Sequence, residues 1–172
     1  KKPKAVLLLG NSMLLFRNEM REAWGDIPLI LCGEENYMGP DDCYIKKYPV
    51  VPSEQVPLTN FTEEYNLTLL QTRVFIEENV KLLQHMIPDM KKIILIGDGR
   101  YVNQQLNVDL KQLLQKKYSN LEYDFYSAAN MTTDSLLLKL NKVNSATTGV
   151  LLSSWFTRQV VAGNVQLQAN SF

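Results

Sequence analysis

The feature that most constrains this chain is the return of short apolar runs that break off into small or polar residues. Runs at 5–9 (AVLLL), 28–32 (PLILC), 93–96 (IILI) and 149–152 (GVLL) end in Gly10-Asn11-Ser12, Gly33-Glu34-Glu35, Gly97-Asp98-Gly99 and Ser153-Ser154. Continuous runs of this length predict strands buried on both faces, because a solvated strand would alternate. Between them, apolar residues recur at helical spacing. Met13, Phe16, Met20 and Trp24 predict a helix that Gly25-Asp26 ends; Ile76, Val80, Leu83 and Ile87 predict one that Pro88-Asp89 stops. Leu106, Leu110, Leu113 and Leu114 predict a third, with Lys116-Lys117 placed at its negative end. Leu121, Tyr123 and Phe125 alternate with Glu122 and Asp124, the period of a half-exposed strand. Thr132 or Thr133 can cap a last helix carrying Leu136, Leu137, Leu140 and Val143. Strands alternating with helices imply parallel sheets, so the predicted class is α/β.

The texture changes over 38–66, where Pro40, Pro49, Pro52 and Pro57 punctuate a stretch without sustained periodicity. It predicts a long connection between two structural halves. Residues 1–60 then form the closing part of a first lobe plus that connection, and 61–172 a second lobe. A length of 172 residues is enough to bury a sizeable core. The chain enters its first strand within ten residues and without a leader-like segment, which predicts an excised piece of something longer.

Charge and cysteine content exclude several classes. With 18 basic and 18 acidic side chains there is no cationic excess to hold a phosphate backbone, so nucleic acid is not an expected partner. The apolar runs are far shorter than a membrane span. Cys32 and Cys43 are the only cysteines: they either close a disulfide in an oxidising compartment or stand as two unrelated thiols. A single histidine and no Cys-x-x-Cys argue against structural zinc, and no cofactor is expected.

In open parallel sheets ligands sit beyond the carboxyl ends of the strands, which directs attention to the four polar strand ends. Gly97-Asp98-Gly99-Arg100-Tyr101-Val102 has two glycines of a dinucleotide fingerprint. Val102 replaces the third, and Asp98 would oppose a pyrophosphate. Gly10-Asn11-Ser12 is the local phrase of a small SGNH-like α/β hydrolase, but His85, the sole histidine, lies beside Glu78 and Lys81 on a polar helix face. Ser12 is then expected to cap the following helix. Of the paired acids at 34–35, 41–42, 63–64 and 77–78, only Glu34-Glu35 falls at a strand end where it could touch a ligand. No catalytic constellation emerges.

Read together, Asn66-Leu67-Thr68, the segment 72–87 followed by PDMKKIILIGD, and VLLSSWF at 150–156 resemble a known family. It is the type I periplasmic-binding-protein-like domain related to ABC-transporter substrate-binding proteins, in the version used as the extracytoplasmic sensor of bacterial two-component histidine kinases. The opening PKAVLLLGNSMLLFRNE and DIPLILCG are similar to the strand–helix–strand that closes that family's first lobe. The resemblance reaches to about Phe156. It implies three-layer α/β/α Rossmann-like lobes with parallel sheets, an unknown small molecule held between two lobes, and signalling through an attached kinase module. It also implies a periplasmic location as part of a membrane-anchored inner-membrane protein, a non-enzymatic role for this chain, and a homodimer. The binding component of an ABC uptake system is the alternative within the same fold. Carried onto this sequence, the cleft-facing residues are Asn11, Ser12, Gly33, Glu34, Asp98, Arg100, Ser154 and Trp155. Arg100 would pair with an acidic group, Trp155 would stack on the ligand, and Asp98 would face the gap. A complete member carries further strand–helix units before Lys1 and more of the second lobe after Phe172, and the tail at 159–172 lacks the strand expected next.

Overall fold

A computed structural model describes residues 1–33, 35–71, 74–161 and 164–169. The fold is α/β with two parallel sheets. The chain divides into two compact units, Lys1–Val74 and Phe75–Phe172. The division falls after residue 74 and not after 60, because residues 58–71 belong to the first unit.

That first unit is built on β1 (Val6–Leu9), β2 (Leu29–Gly33) and β5 (Leu67–Gln71), parallel and in the order β1-β2-β5. Strand β5 has no counterpart among the strands expected from the sequence: its run of three leucines is short, and Thr68 interrupts it. A 3-10 helix at Asn11–Phe16 runs into α1 (Arg17–Trp24), which Gly25 ends at φ 70. The tighter 3-10 winding rotates the buried face away from the predicted stripe. Leu14 is buried instead, while Met13 and Phe16 are exposed. The proline-rich stretch is not an inter-unit connection. It folds within this unit as a two-stranded ribbon of β3 (Tyr37–Met38) and β4 (Val56–Pro57), with α2 (Asp41–Lys46) and α3 (Leu58–Glu64). Met38, Cys43, Tyr44, Val50 and Leu58 bury its apolar side.

In the second unit, α4 (Ile76–Met86) precedes β6 (Lys92–Gly97), α5 (Tyr101–Lys117), β7 (Glu122–Ser127), α6 (Thr133–Leu140) and β8 (Thr148–Leu152). Thr132 caps α6, its Oγ1 accepting the Ser135 N–H at 3.2 Å. The sheet order is β7-β6-β8, all parallel. The chain thus moves one strand outward, then crosses back over β6. Crossovers are right-handed almost without exception, so reversing direction puts the two connecting helices on opposite faces. The cores agree. Ile93 and Leu95 of β6 pack with Val80 of α4 and Leu110 and Leu114 of α5, whereas Ile94 and Ile96 pack with Leu136 of α6 and Trp155. This unit is a three-layer α/β/α sandwich.

The tail carries strands after all. Residues Phe156–Val161 (β9) and Asn164–Ala169 (β10) pair antiparallel, Phe156 opposite Ala169, as a separate ribbon that does not extend the parallel sheet. Only Val165-Gln166-Leu167-Gln168 alternates, and Val160-Val161 is a run of two, so neither strand shows a continuous apolar run. Among the described residues no helix is long and apolar enough to cross a membrane.

Candidate functional site

The reversal of strand order in the second unit creates a switch point between β6 and β8. In doubly wound sheets the loops at such a point can diverge and leave a crevice beyond the strand ends; here β8 runs on into β9 and the two loops close on each other. The β6 strand, buried along most of its length, delivers Gly97-Asp98 to that place, and β8 delivers Ser153-Ser154. The loops are tied by the main chain: Ser153 N–H donates to Ile96 O at 3.0 Å, and Ala128 N–H donates to Gly97 O at 3.0 Å.

Asp98 is the centre of this end and is almost wholly buried, with 1% of its surface exposed. Its Oδ1 accepts from Arg100 N–H at 2.9 Å, Arg100 Nε at 3.0 Å and Asn103 Nδ2 at 2.9 Å. Its Oδ2 accepts from Ser154 Oγ at 2.9 Å and from Arg100 Nη2 at 3.0 Å. Burial by itself would raise the Asp98 pKa. The hydrogen bonds from Arg100, Ser154 and Asn103 outweigh it and hold the carboxyl below its ordinary value. Asn103 completes the bracket by donating its second amide hydrogen to Ser154 Oγ at 2.8 Å. Its Oδ1 is buried without a hydrogen-bond partner. It lies against Gly97, where an added Cβ would stand 3.0 Å away.

This geometry corrects the expected role of Asp98. The carboxylate does not face a gap, because every lone pair in reach is already used to hold the β6 and β8 loops together. The group it presents is Arg100. That side chain, 42% exposed, is pinned along its Nε–Nη2 edge by Asp98, and its guanidinium lies 4.2 Å from the centroid of the Phe156 ring. Ser154 joins the bracket as a polar strand-end residue. Trp155 does not stack on anything from outside: it is 4% exposed, packs with Ile94, Ile96 and Leu136, and donates its indole N–H to Thr133 Oγ1 at 3.1 Å. The large ring that closes the α6 face of the sheet is core.

In the first unit the corresponding strand ends behave differently. Asn11 is buried, and its Nδ2 donates to the carbonyls of Glu35 at 3.1 Å and Tyr37 at 2.9 Å. Its Oδ1 has no hydrogen-bond partner and lies where a Cβ on Gly33 would come within 2.2 Å. Asn11 and Gly33 therefore shape the turn after β2. Ser12 is exposed inside the 3-10 helix and caps nothing, since that helix has no side-chain cap. Ser12 has no hydrogen-bond partner among the described residues. Glu34 lies outside the described residues. His85 sits exposed on α4, as its polar neighbours predict.

The two cysteines are free thiols and do not form the disulfide left open above. Cys43 is fully buried on α2, while Cys32 is half-buried on the opposite face of β2 from Leu31. Among the described residues no group of three histidines, cysteines or acids could hold a metal ion.

Two functional positions escape the sequence reading. Asn103 occupies the core-facing stripe of α5, three residues before Leu106 and seven before Leu110. A polar residue in an apolar stripe is a readable sign of a buried hydrogen bond. Phe156 could not be assigned from pattern, because its partner is a guanidinium fifty-six positions earlier. No family model, curated protein or solved structure matches this chain.

Proposed function

We propose that this chain is the extracytoplasmic ligand-binding sensor domain of a two-component histidine kinase, holding a small molecule and passing its presence to the attached kinase. The observation that carries the binding half is the Asp98–Asn103–Ser154 bracket with a half-exposed Arg100 at a switch point. Buried polar groups are spent there on fixing one cation rather than on activating a nucleophile. The resemblance of the strand–Gly–Asp and Pro-Asp-x-Lys-Lys-Ile phrases supplies the signalling half. A ligand that favours one conformation of the receptor shifts its population by its differential affinity.

The test has two stages. A thermal-shift screen of sugars, amino acids, organic acids and nucleosides on this chain should give a hit that Arg100→Ala abolishes. Because that variant strips the buried Asp98 of its counterion and lowers the ligand-free melting temperature, the shift is read against the variant's own ligand-free curve and confirmed by titration at a temperature where it is folded. In the intact receptor that hit should change the rate of autophosphorylation. A ligand that Arg100→Ala leaves unaffected refutes the site, and a parent protein without a kinase refutes the sensor.

A further inference from the structure

The geometry points to a carboxylate as the group Arg100 receives, so that the ligand of the second unit is a small organic acid bound through one carboxylate. This rests on the ligand-binding reading above and narrows it. A guanidinium has five N–H donors arranged as two usable edges. Asp98 occupies the Nε–Nη2 edge, with contacts of 3.0 Å from Nε to Oδ1, 3.1 Å from Nε to Oδ2 and 3.0 Å from Nη2 to Oδ2. Phe156 covers one face of the plane. What is left is the end formed by Nη1 and the second hydrogen of Nη2, and Nη1 has no partner among the described residues. Two parallel donors in one plane match the two oxygens of a carboxylate.

Three features separate a carboxylate from other oxygen ligands. The fork is held in place: its ion pair to a buried carboxylate, the Arg100 backbone N–H on Asp98, and a ring against the guanidinium fix its orientation, so little side-chain freedom is lost on binding. It stands at the N-terminus of α5, a helix of 17 residues, whose positive end adds to the attraction for an anion. Among the described residues of this network Arg100 is the only cation, and Asp98 already balances its charge, so the fork offers directed N–H donors rather than net positive charge. That geometry suits the two oxygens of a carboxylate and leaves a doubly charged phosphate without the further cations it gathers elsewhere.

Matched pairs of probes test it: glucuronate against glucose, galacturonate against galactose, lactate against lactamide, and succinate against succinamide. Isothermal titration on the chain should find at least one acid that binds about tenfold or more tightly than its neutral twin. Arg100→Lys, which keeps a cation beside Asp98 but loses the fork, should remove that preference in a chain that still melts cooperatively, at a somewhat lower temperature because the paired contacts to Asp98 are lost; Arg100→Gln guards against a lysine that adapts. A neutral twin that binds as well as its acid, with binding still lost in Arg100→Gln, overturns the carboxylate and leaves the binding site standing. Acids whose affinity neither variant changes, or a panel in which nothing binds, overturn both.

Discussion

The two units solve the same local problem with different chemistry. Each ends its first strand in a glycine-containing turn, and each has a buried asparagine whose Oδ1 lies against a glycine at the end of a strand: Asn11 on Gly33, Asn103 on Gly97. Asn11 spends its amide hydrogens on two main-chain carbonyls, whereas Asn103 spends them on a carboxylate and a hydroxyl. The first arrangement only shapes a loop. The second fixes a charge, and a fixed charge needs a counterion that stays exposed. The difference teaches that the polar strand ends are not equivalent, although their sequences look alike.

The sharpest way to break the comparison is to remove the centre of each bracket. Asp98→Ala leaves Asn103 Nδ2 and Ser154 Oγ without their acceptor inside the protein and should cost about 3–5 kcal/mol in chemical denaturation. Asn11→Ala frees two carbonyls at a partly wetted turn and should cost about 1–2 kcal/mol. Equal losses would mean that the charge in the second bracket adds nothing.

The sheets differ as the brackets do. Strand order β1-β2-β5 never reverses, so right-handed crossovers put every connection of the first unit on one face. Leu8 and Leu31 are buried on that face, while Leu7, Leu9 and Leu70 of the other are 58%, 71% and 52% exposed. Order β7-β6-β8 reverses, and both faces of β6 are covered. Ile94→Ala should therefore cost about 2–4 kcal/mol, and Leu9→Ala less than about 0.5 kcal/mol, by the same denaturation measurement. A large loss from Leu9→Ala would mean that something covers the leucine face in solution.

A smaller effect separates the two glycines. A methyl on Gly33 would sit 2.2 Å from Asn11 Oδ1, a distance no packed pair holds, and the amide must leave its site. On Gly97 it would sit 3.0 Å from Asn103 Oδ1 and 3.1 Å from Phe125, tight but reachable by shifts of a few tenths of an ångström. Gly33→Ala should cost about 2–3 kcal/mol and Gly97→Ala about 1 kcal/mol. The reverse order would show that the Asn103 bracket is the stiffer one.

Much of the fold was legible because it depends on continuous local pattern. The strand at 93–96 and the α5 stripe need no knowledge of partners, since a run of isoleucines or a leucine every third or fourth residue declares its own burial. The runs at 5–9 and 149–152 form strands but are not buried on both faces as expected: Leu7, Leu9, Val150 and Leu152 are exposed, because both strands lie at sheet edges and their cover depends on which helices pack there. Strand β5 and the tail ribbon were not legible: Thr68 and the glutamines at 159–168 dilute the apolar signal that defines a strand, and pairing partners supply what is missing. At the site, Asp98, Arg100 and Ser154 were found by position at strand ends. Their roles were not, because whether a carboxylate opens to solvent or closes on its neighbours depends on residues 51 and 56 positions apart in sequence. Trp155 failed for the same reason: a tryptophan after a strand reads equally as a platform or as a plug until α6 is placed over it.

The last and smallest contrast lies between two carboxylates of the second unit. Asp98, with its pKa held down in the folded state, contributes stability that is complete above the unfolded value near 3.9 and is lost as pH falls through the folded one. Asp109, on α5, has its pKa pushed up by burial, only partly offset by the hydrogen bond from Gln105 at 2.9 Å. The folded protein then binds a proton there more readily than the unfolded chain. The sign reverses: stability is greatest below the unfolded pKa and declines as pH rises through the folded one. Asp109→Asn removes that decline while keeping an acceptor for Gln105, so at neutral pH it should raise the melting temperature slightly and flatten its dependence above pH 4. Asp98→Asn should do the opposite, lowering the melting temperature at neutral pH and narrowing its gap to the parent in acid. Melting curves from pH 3 to 7 on the two variants decide it. Parallel curves would mean that the bracket holds Asp98 no more tightly than water does, and Arg100 would then lose the fixed partner on which its orientation depends.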